Sequence, residues 1–318
     1  MRRRFGTRHN GVQLPEHDAE AIAVISSQVP ICELMSTGPL PEASFDGPVP
    51  GIPGAVVREV AELPEHVPEG EAVGPHIEAA PGILLFEVPG IARYLIRGGQ
   101  SIEVAVAPGG DRAAARLFLD GSARGALIHQ RGELPLTAAT LIAPNWKCVA
   151  ICCPSAVGKS TLAAGLCRRG WLLVADDITR ISWNGTIGVA WPSHDRLKLW
   201  RDACEMLGAN ADALERVREG MEKFFMPVPS TRTPAALSVV VRLRIAPELD
   251  VEEIGAAQRA NLLSESTFRP RWIDPLGRRA DHARVAGQVA QGCRALVLSG
   301  AREQPIAVLA DRLTEAVR

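Results

Sequence analysis

Apolar and polar positions along this chain change period several times, and each change marks a predicted element. From residue 82, three short apolar runs at 83–88, 92–96 and 101–106 are separated by Pro-Gly and Gly-Gly pairs. That spacing predicts an antiparallel meander. Residues 113–131 carry Leu117, Ala123 and Leu127 at helical spacing and predict one helix ending at Gly132. Lys147-Cys148-Val149-Ala150-Ile151-Cys152 is nearly continuously apolar, as a strand buried on both faces must be. A helix is predicted from Lys159 to Arg169, stopped by Gly170. A second buried strand, 171–175, ends in Asp176-Asp177. Strand, loop, helix and strand make a βαβ-like unit.

Further along, 178–189 predicts a hairpin turning at Asn184-Gly185. Helices are expected at 197–204, 211–222, 251–263, 280–291 and 306–317, with strands at 237–245 and 295–298. Before the meander, residues 1–50 lack sustained periodicity apart from one candidate helix at 16–26. The expected organisation is a loosely ordered arm at 1–50, a β-rich and helical part at 51–145, and a core with a helical end at 146–318.

Composition narrows the function classes. The chain has 318 residues, 47% hydrophobic and 22% charged, with a net charge of −1. Such a balance supplies no global basic field for nucleic acid or anionic membrane. No stretch approaches the roughly 20 apolar residues of a membrane span, and no apolar run follows the basic Met1-Arg2-Arg3-Arg4 start as in a signal peptide. The seven cysteines include no metal-type Cys-x-x-Cys pair and are expected to be reduced packing residues, in keeping with a cytoplasmic location.

The chemistry concentrates at one junction. Gly158-Lys159-Ser160-Thr161 follows a buried strand and opens a helix, the setting of a phosphate-binding P-loop. Small residues there let backbone N–H groups of Ser155, Ala156, Val157 and Gly158 turn onto phosphate oxygens, with the helix N-terminus adding partial positive charge. The Lys159 ammonium reaches the terminal phosphates and the Ser160 hydroxyl serves magnesium. Cys153 and Ala156 stand where glycines are common, both small. Asp176-Asp177 ends the next strand, on the edge where open α/β sheets bind ligands. One of two adjacent carboxylates can serve magnesium while the other orients or deprotonates an attacking hydroxyl. Ser155 lacks the Gly-x-Ser-x-Gly elbow of a hydrolase.

In Pro154-Ser155-Ala156-Val157-Gly158-Lys159-Ser160 and in Arg168-Arg169-Gly170-Trp171-Leu172-Leu173-Val174-Ala175-Asp176-Asp177 the sequence resembles the HPr serine kinase/phosphorylase family. It is similar to that family's C-terminal kinase domain and to its shortened HPr-kinase-related branch, including kinases of lasso-peptide precursors. His129-Gln130-Arg131-Gly132 and Leu197-Lys198-Leu199-Trp200 extend the resemblance over about 82–317.

The resemblance implies an α/β fold, a P-loop-containing mixed β-sheet with flanking helices, like that of HPr kinase and phosphoenolpyruvate carboxykinase. It implies an ATP-dependent serine kinase, GTP not excluded, using Mg2+. Asp176 would be the base, beside Lys159 as the second catalytic residue, and Ser160 and Asp177 would be the metal residues. Lys198, His194 and His129 are candidate substrate or phosphate contacts. The acceptor would be a serine of a peptide or protein, such as the C-terminal serine of a lasso-peptide precursor. Homo-oligomers are implied as well.

The sequence departs from the family at Thr137, where a histidine is usual, and at Cys153. It carries no glycine-arginine-glycine signature, which implies a kinase without phosphorylase activity. A small-metabolite kinase and a nucleotide-sensing scaffold with a weakened loop remain the other readings.

Overall fold

A computed structural model describes residues 45–154 and 157–318; the helix expected at 16–26, and most of the 1–50 arm, lie outside them. Within the described part of that arm, Phe45 and Val49 are buried.

The first seven strands make one sheet. They are β1 (Gly47–Pro48), β2 (Val56–Glu59), β3 (Glu71–Gly74), β4 (Ile77–Ala80), β5 (Ile83–Val88), β6 (Ala92–Arg97) and β7 (Ser101–Val106), in spatial order β1-β2-β7-β6-β5-β4-β3. The meander legible in the sequence is β5-β6-β7, with the predicted bounds within a residue. Its apolar face, including Leu84, Phe86, Tyr94, Ile96 and Ile102, closes on the helix that follows. Asp111 caps that helix by accepting from the amides of Ala113 and Ala114. The helix is α1 (Arg112–Phe118), a π turn at Leu119–Ala123 and α2 (Arg124–Gln130). The single predicted helix is therefore interrupted by the π turn, although it stops at Gly132 as expected, where φ is +69°.

The second sheet carries the site. It contains β8 (Leu134–Leu136), β9 (Ala138–Ile142), β10 (Cys148–Cys152), β11 (Leu172–Ala175), β12 (Thr179–Trp183), β13 (Gly188–Trp191), β16 (Ala235–Ile245), β17 (Asp250–Glu253) and β18 (Arg294–Gly300). A separate two-stranded ribbon joins β14 (Arg196–Trp200) to β15 (Lys223–Pro227). Between and after these strands lie α3 (Lys159–Cys167), α4 (Arg201–Met206), α5 (Ala256–Glu265), α6 (Arg279–Gly292) and α7 (Ile306–Ala316).

Strand β10 is buried throughout, and its alternation divides two cores. Val149 and Ile151 face the core shared with α3 and α7. Cys148, Ala150 and Cys152 face the core shared with α5 and α6. The sheet is thus mixed α/β with helices on both faces: β10 is parallel to β16 and antiparallel to β9, and β16 is parallel to β18.

The βαβ-like reading requires one correction. Strands β10 and β11 are not neighbours, because β9 runs antiparallel between them and pairs with both. Two strands antiparallel to the same strand are parallel to each other, so β10 and β11 still end on one edge. Three helix expectations also fail. Residues 196–200 are strand β14, and helix begins only at Arg201. Residues 211–222 hold a single 3-10 turn, Ala211–Ala213, under Asn210, and the charged remainder leads into β15. Val251 lies in β17 opposite Leu298; Gly255 separates that strand from α5, whose start the Gln258 side chain closes by accepting from the Gly255 amide at 3.2 Å. The hairpin at Asn184-Gly185 forms as predicted, with Asn184 Oδ1 accepting from the amides of Thr186 and Ile187.

Among the described residues no helix is long and apolar enough to cross a membrane. Six of the cysteines are described, all buried and free.

Candidate nucleotide and phosphoryl-transfer site

The sheet edge at which β10 and β11 end gathers the charged residues. Gly158 stands at the N-cap of α3 with φ of +108°. An added Cβ would meet nothing within 4 Å, so backbone conformation and not space asks for glycine there. Cys153, at the loop's opening position, is not among the non-glycine residues with positive φ. Its side chain costs the loop no left-handed strain, which explains why glycine is dispensable at that position. Burial pushes its thiol up, opposed by the Lys159 charge and by a hydrogen bond from the Lys159 amide. Ser155 and Ala156 lie outside the described residues, Val157 is partly buried against the α3 core, and Thr161 is half-buried one residue beyond Ser160.

Lys159 turns back from the start of α3 to the end of β11. Its Nζ lies 2.9 Å from Asp176 Oδ1 and 3.8 Å from Asp177 Oδ1. Ser160 Oγ lies 3.1 Å from each Asp176 oxygen. Asp176 also accepts from the Lys198 amide at 3.4 Å, and the Lys198 ammonium donates to Asp177 Oδ2 at 3.1 Å. Lysines 159 and 198, Ser160 and the two aspartates therefore form one connected cluster. Burial alone would depress the Lys159 ammonium, but Asp176 and Asp177 overcome that and hold it above its ordinary value. Burial alone would raise Asp177; Lys198, then Lys159 and Lys223, overcome it and keep the carboxyl well below the usual carboxylate range.

The two aspartates differ in environment. The Asp176 side chain is only 3% exposed, whereas that of Asp177 is 41% exposed. Asp177 also has φ of +63°, and the Ile178 amide donates to the Asp176 carbonyl at 2.8 Å across it. That is a γ-turn of the strained hand, a conformation concentrated at functional sites. Arg124 braces the turn from below. It is 1% exposed and donates through Nη1 to the Ile178 carbonyl and through Nε to the Pro50 carbonyl. Sequence reasoning did not single out Arg124; its signal was a lone guanidinium in a helix segment otherwise apolar enough to be buried throughout.

The other candidates separate. His194 follows Ser193, whose amide donates to the Val174 carbonyl of β11. It therefore runs beside the site strand, and burial pushes its imidazole down to about 4. His129 is buried with Nε2 2.7 Å from the Phe268 carbonyl, and burial likewise pushes it down to about 4. Its hydrogen bond ties α2 to the segment after α5, a structural contact and not one to the lysine–aspartate cluster.

No family model matches this chain, and no curated protein matches it. Among solved structures, the chain is similar to the Hpr(Ser) kinase/phosphatase from Coxiella burnetii, with 15% identity over 58% of this chain and 93% of that one and a TM-score of 0.29.

Proposed function

We propose that this protein is a nucleoside-triphosphate-dependent phosphotransferase that moves the γ-phosphoryl group to a hydroxyl. The observation that carries the reading is the convergence of a loop lysine and a loop hydroxyl on one buried carboxylate: Lys159 Nζ at 2.9 Å and Ser160 Oγ at 3.1 Å from Asp176. Phosphoryl transfer asks mainly for positioning and charge neutralisation. The α3 N-terminus and the Lys159 ammonium supply both to the phosphates. Magnesium suits the Ser160 hydroxyl and Asp176 carboxylate as hard oxygen donors, and when bound it neutralises phosphate charge.

Depth supports a division of labour opposite to the one expected from order along the chain. Asp176 is enclosed with Ser160, which fits a metal-directed role. Asp177 is open to solvent, from which an acceptor hydroxyl arrives, and it fits the proton acceptor. In the step itself the acceptor oxygen bonds to the γ-phosphorus, its proton passes to Asp177, and the bond from phosphorus to the β,γ-bridging oxygen breaks with release of nucleoside diphosphate. A serine of a peptide or protein is the acceptor we favour, and the C-terminal serine of a lasso-peptide precursor is the narrowest form of that reading.

Calorimetric titration of magnesium-ATP tests the assignment. Wild type binds, and Lys159→Ala loses at least about tenfold in affinity because the ammonium facing the phosphates is gone. Equal affinity in both proteins would overturn the nucleotide site. Asp177→Asn should keep nucleotide affinity while lowering transfer by about 10²–10⁴-fold, the contribution of a positioned base. Asp176→Asn should raise the magnesium requirement; the reverse pattern would restore the order expected from the sequence.

A further inference from the structure

The ribbon of β14 and β15 stands apart from both large sheets, and its two faces are unlike. The inner face is apolar: Leu197, Leu199, Phe224 and Met226 are buried against the α3 core. The register pairs Arg196 with Pro227, Lys198 with Phe225 and Trp200 with Lys223. Directly opposed residues share a face, so all six project outward. Three are cations and two are aromatic. The Arg196 guanidinium lies 4.0 Å from the Phe225 ring centroid and the Lys223 ammonium 5.6 Å from that of Trp200. Trp200 is 48% exposed, high for so large an apolar side chain. Arg196 is paired with Glu215 and Lys198 with Asp177. Lys223 makes no salt bridge among the described residues, although its charge is felt by Asp177.

This face begins at the proposed reaction centre, since Lys198 touches Asp177 through its ammonium and Asp176 through its amide. It then runs outward to Lys223 and Trp200. Residues two apart on a strand are about 7 Å apart, so Trp200 and its partner Lys223 stand about two residues of extended chain from Lys198.

We propose that the outward face of the β14–β15 ribbon is the docking surface for the phosphate acceptor, and that this acceptor is an acidic polypeptide segment. Its carboxylates meet Lys223, an apolar stem lies on Trp200, and the acceptor hydroxyl, about two residues away along an extended backbone, reaches Asp177 beside Lys198. The proposal rests on the phosphotransfer reading and names the substrate class of that site. Charge complementarity selects the occupant at Lys223, the cation of this face without a salt bridge among the described residues. On the other side of Trp200 lie Asp202, Glu205 and a Glu222 held by Arg201 and Arg216, so the carboxylates of the segment are placed on the Lys223 side.

Fluorescence anisotropy with three labelled synthetic serine peptides, one rich in glutamate, one in glycine and one in lysine, tests this on the full chain. At low salt the glutamate peptide should bind at least about tenfold more tightly than the others, and rising salt should weaken it. Lys223→Glu should abolish that preference, Lys223→Arg should preserve it, and Trp200→Ala should weaken binding several-fold. Because Lys223→Arg keeps the charge, its retained binding separates lost complementarity from lost folding. Magnesium-ATP titration runs alongside. Nucleotide binding without a charge preference among the peptides overturns the docking surface and spares the phosphotransfer reading. Peptide preference without nucleotide binding overturns the acceptor assignment. Undiminished glutamate-peptide binding by Lys223→Glu, or preference for a single-stranded oligonucleotide over every peptide, overturns the proposal.

Discussion

Two ionic clusters of the same charge differ in how deeply their central pairs are buried. Lys159, Lys198, Asp176 and Asp177 join the end of β11 and the start of α3 to the middle of β14. Arg201, Arg216, Asp212 and Glu222 tie α4 to the segment leading into β15. Each has two cations and two carboxylates. In the first, Lys159 and Asp176 side chains are 10% and 3% exposed; in the second, Asp212 and Glu222 are 74% and 51% exposed. Enclosed charges lose hydration and depend on one another, so removing one leaves a costly remainder. Exposed charges fall back on water and salt at little cost. The difference teaches where function can sit. Only the enclosed cluster has a local field large enough to respond to an arriving polyphosphate, and the open one serves to hold chain geometry.

The largest expected effect comes from breaking the enclosed cluster. Asp176→Asn leaves the Lys159 ammonium buried beside a neutral amide and takes away one of the two oxygens that accept from Ser160. Urea denaturation should show a loss of about 3 kcal/mol, at the low end for a broken buried pair because Asp177 Oδ1 remains 3.8 Å from the ammonium. At limiting magnesium, magnesium-ATP should raise the melting temperature of the variant less than that of wild type, because the metal-directed carboxylate is gone. A variant as stable as wild type would mean that the enclosed and open clusters do not differ in energy as their burial requires.

Acidification sharpens the contrast by showing what the enclosed cluster does not do. His129 is pushed down by burial to about 4, below an unfolded value of about 6.5. The unfolded chain then binds more protons than the folded one between those values, and stability falls as pH drops through that window. The His129 share should reach about 2 kcal/mol at pH 5. Asp177, whose folded value is depressed, keeps its contribution until the pH falls below the ordinary carboxylate range near 4. His194, pushed down to the same extent, contributes to the same window, so His129→Gln should reduce the slope between pH 6.5 and 5 without abolishing it, while Asp177→Asn should leave that slope as it is. A slope undiminished in His129→Gln and lost in Asp177→Asn would reverse the assignment.

The sequence displays these two clusters unequally. Gly158-Lys159-Ser160 and Asp176-Asp177 are legible because each sits at the end of an unbroken apolar run, and so short a run bounded by turn residues suits a strand buried on both faces. That their side chains meet was also readable, since β10 and β11 end on one edge. The antiparallel β9 between them was not, because strand order is a long-range property and Ala138 to Ile142 is too short and apolar to declare its type. The ribbon failed for a different reason. Leu197 and Leu199 alternate as a strand requires, but with Ala203 and Cys204 they also fit a helical stripe, and the pairing with β15 that decides between them lies about two dozen residues away. The helix expected at 211–222 does not form, and the ion pairs from Arg201 to Asp212 and Glu222 instead fold that segment across α4. Arg124 was hidden because an arginine inside a helix is ordinarily a solvated one.

The smallest effect belongs to the open cluster. The Arg201 and Arg216 guanidiniums hold the Glu222 carboxyl below its ordinary value through hydrogen bonds, yet the carboxylate faces solvent. Exposed ion pairs contribute little and are screened within a Debye length that shrinks to about 3 Å at 1 M salt. Glu222→Gln should therefore shift the melting temperature only slightly at low ionic strength, and the shift should vanish in 1 M sodium chloride. The shift caused by Asp176→Asn should persist in the same salt, because solvent ions do not reach a carboxylate closed in by Lys159, Ser160 and the Lys198 amide. Measuring both variants in both salts isolates burial as the variable, since the two clusters match in charge. If salt erased the Asp176→Asn shift as readily as the Glu222→Gln shift, the lysine–aspartate cluster would have to be open to water in solution. The strong local field that the proposed phosphoryl-transfer site relies on would then be absent.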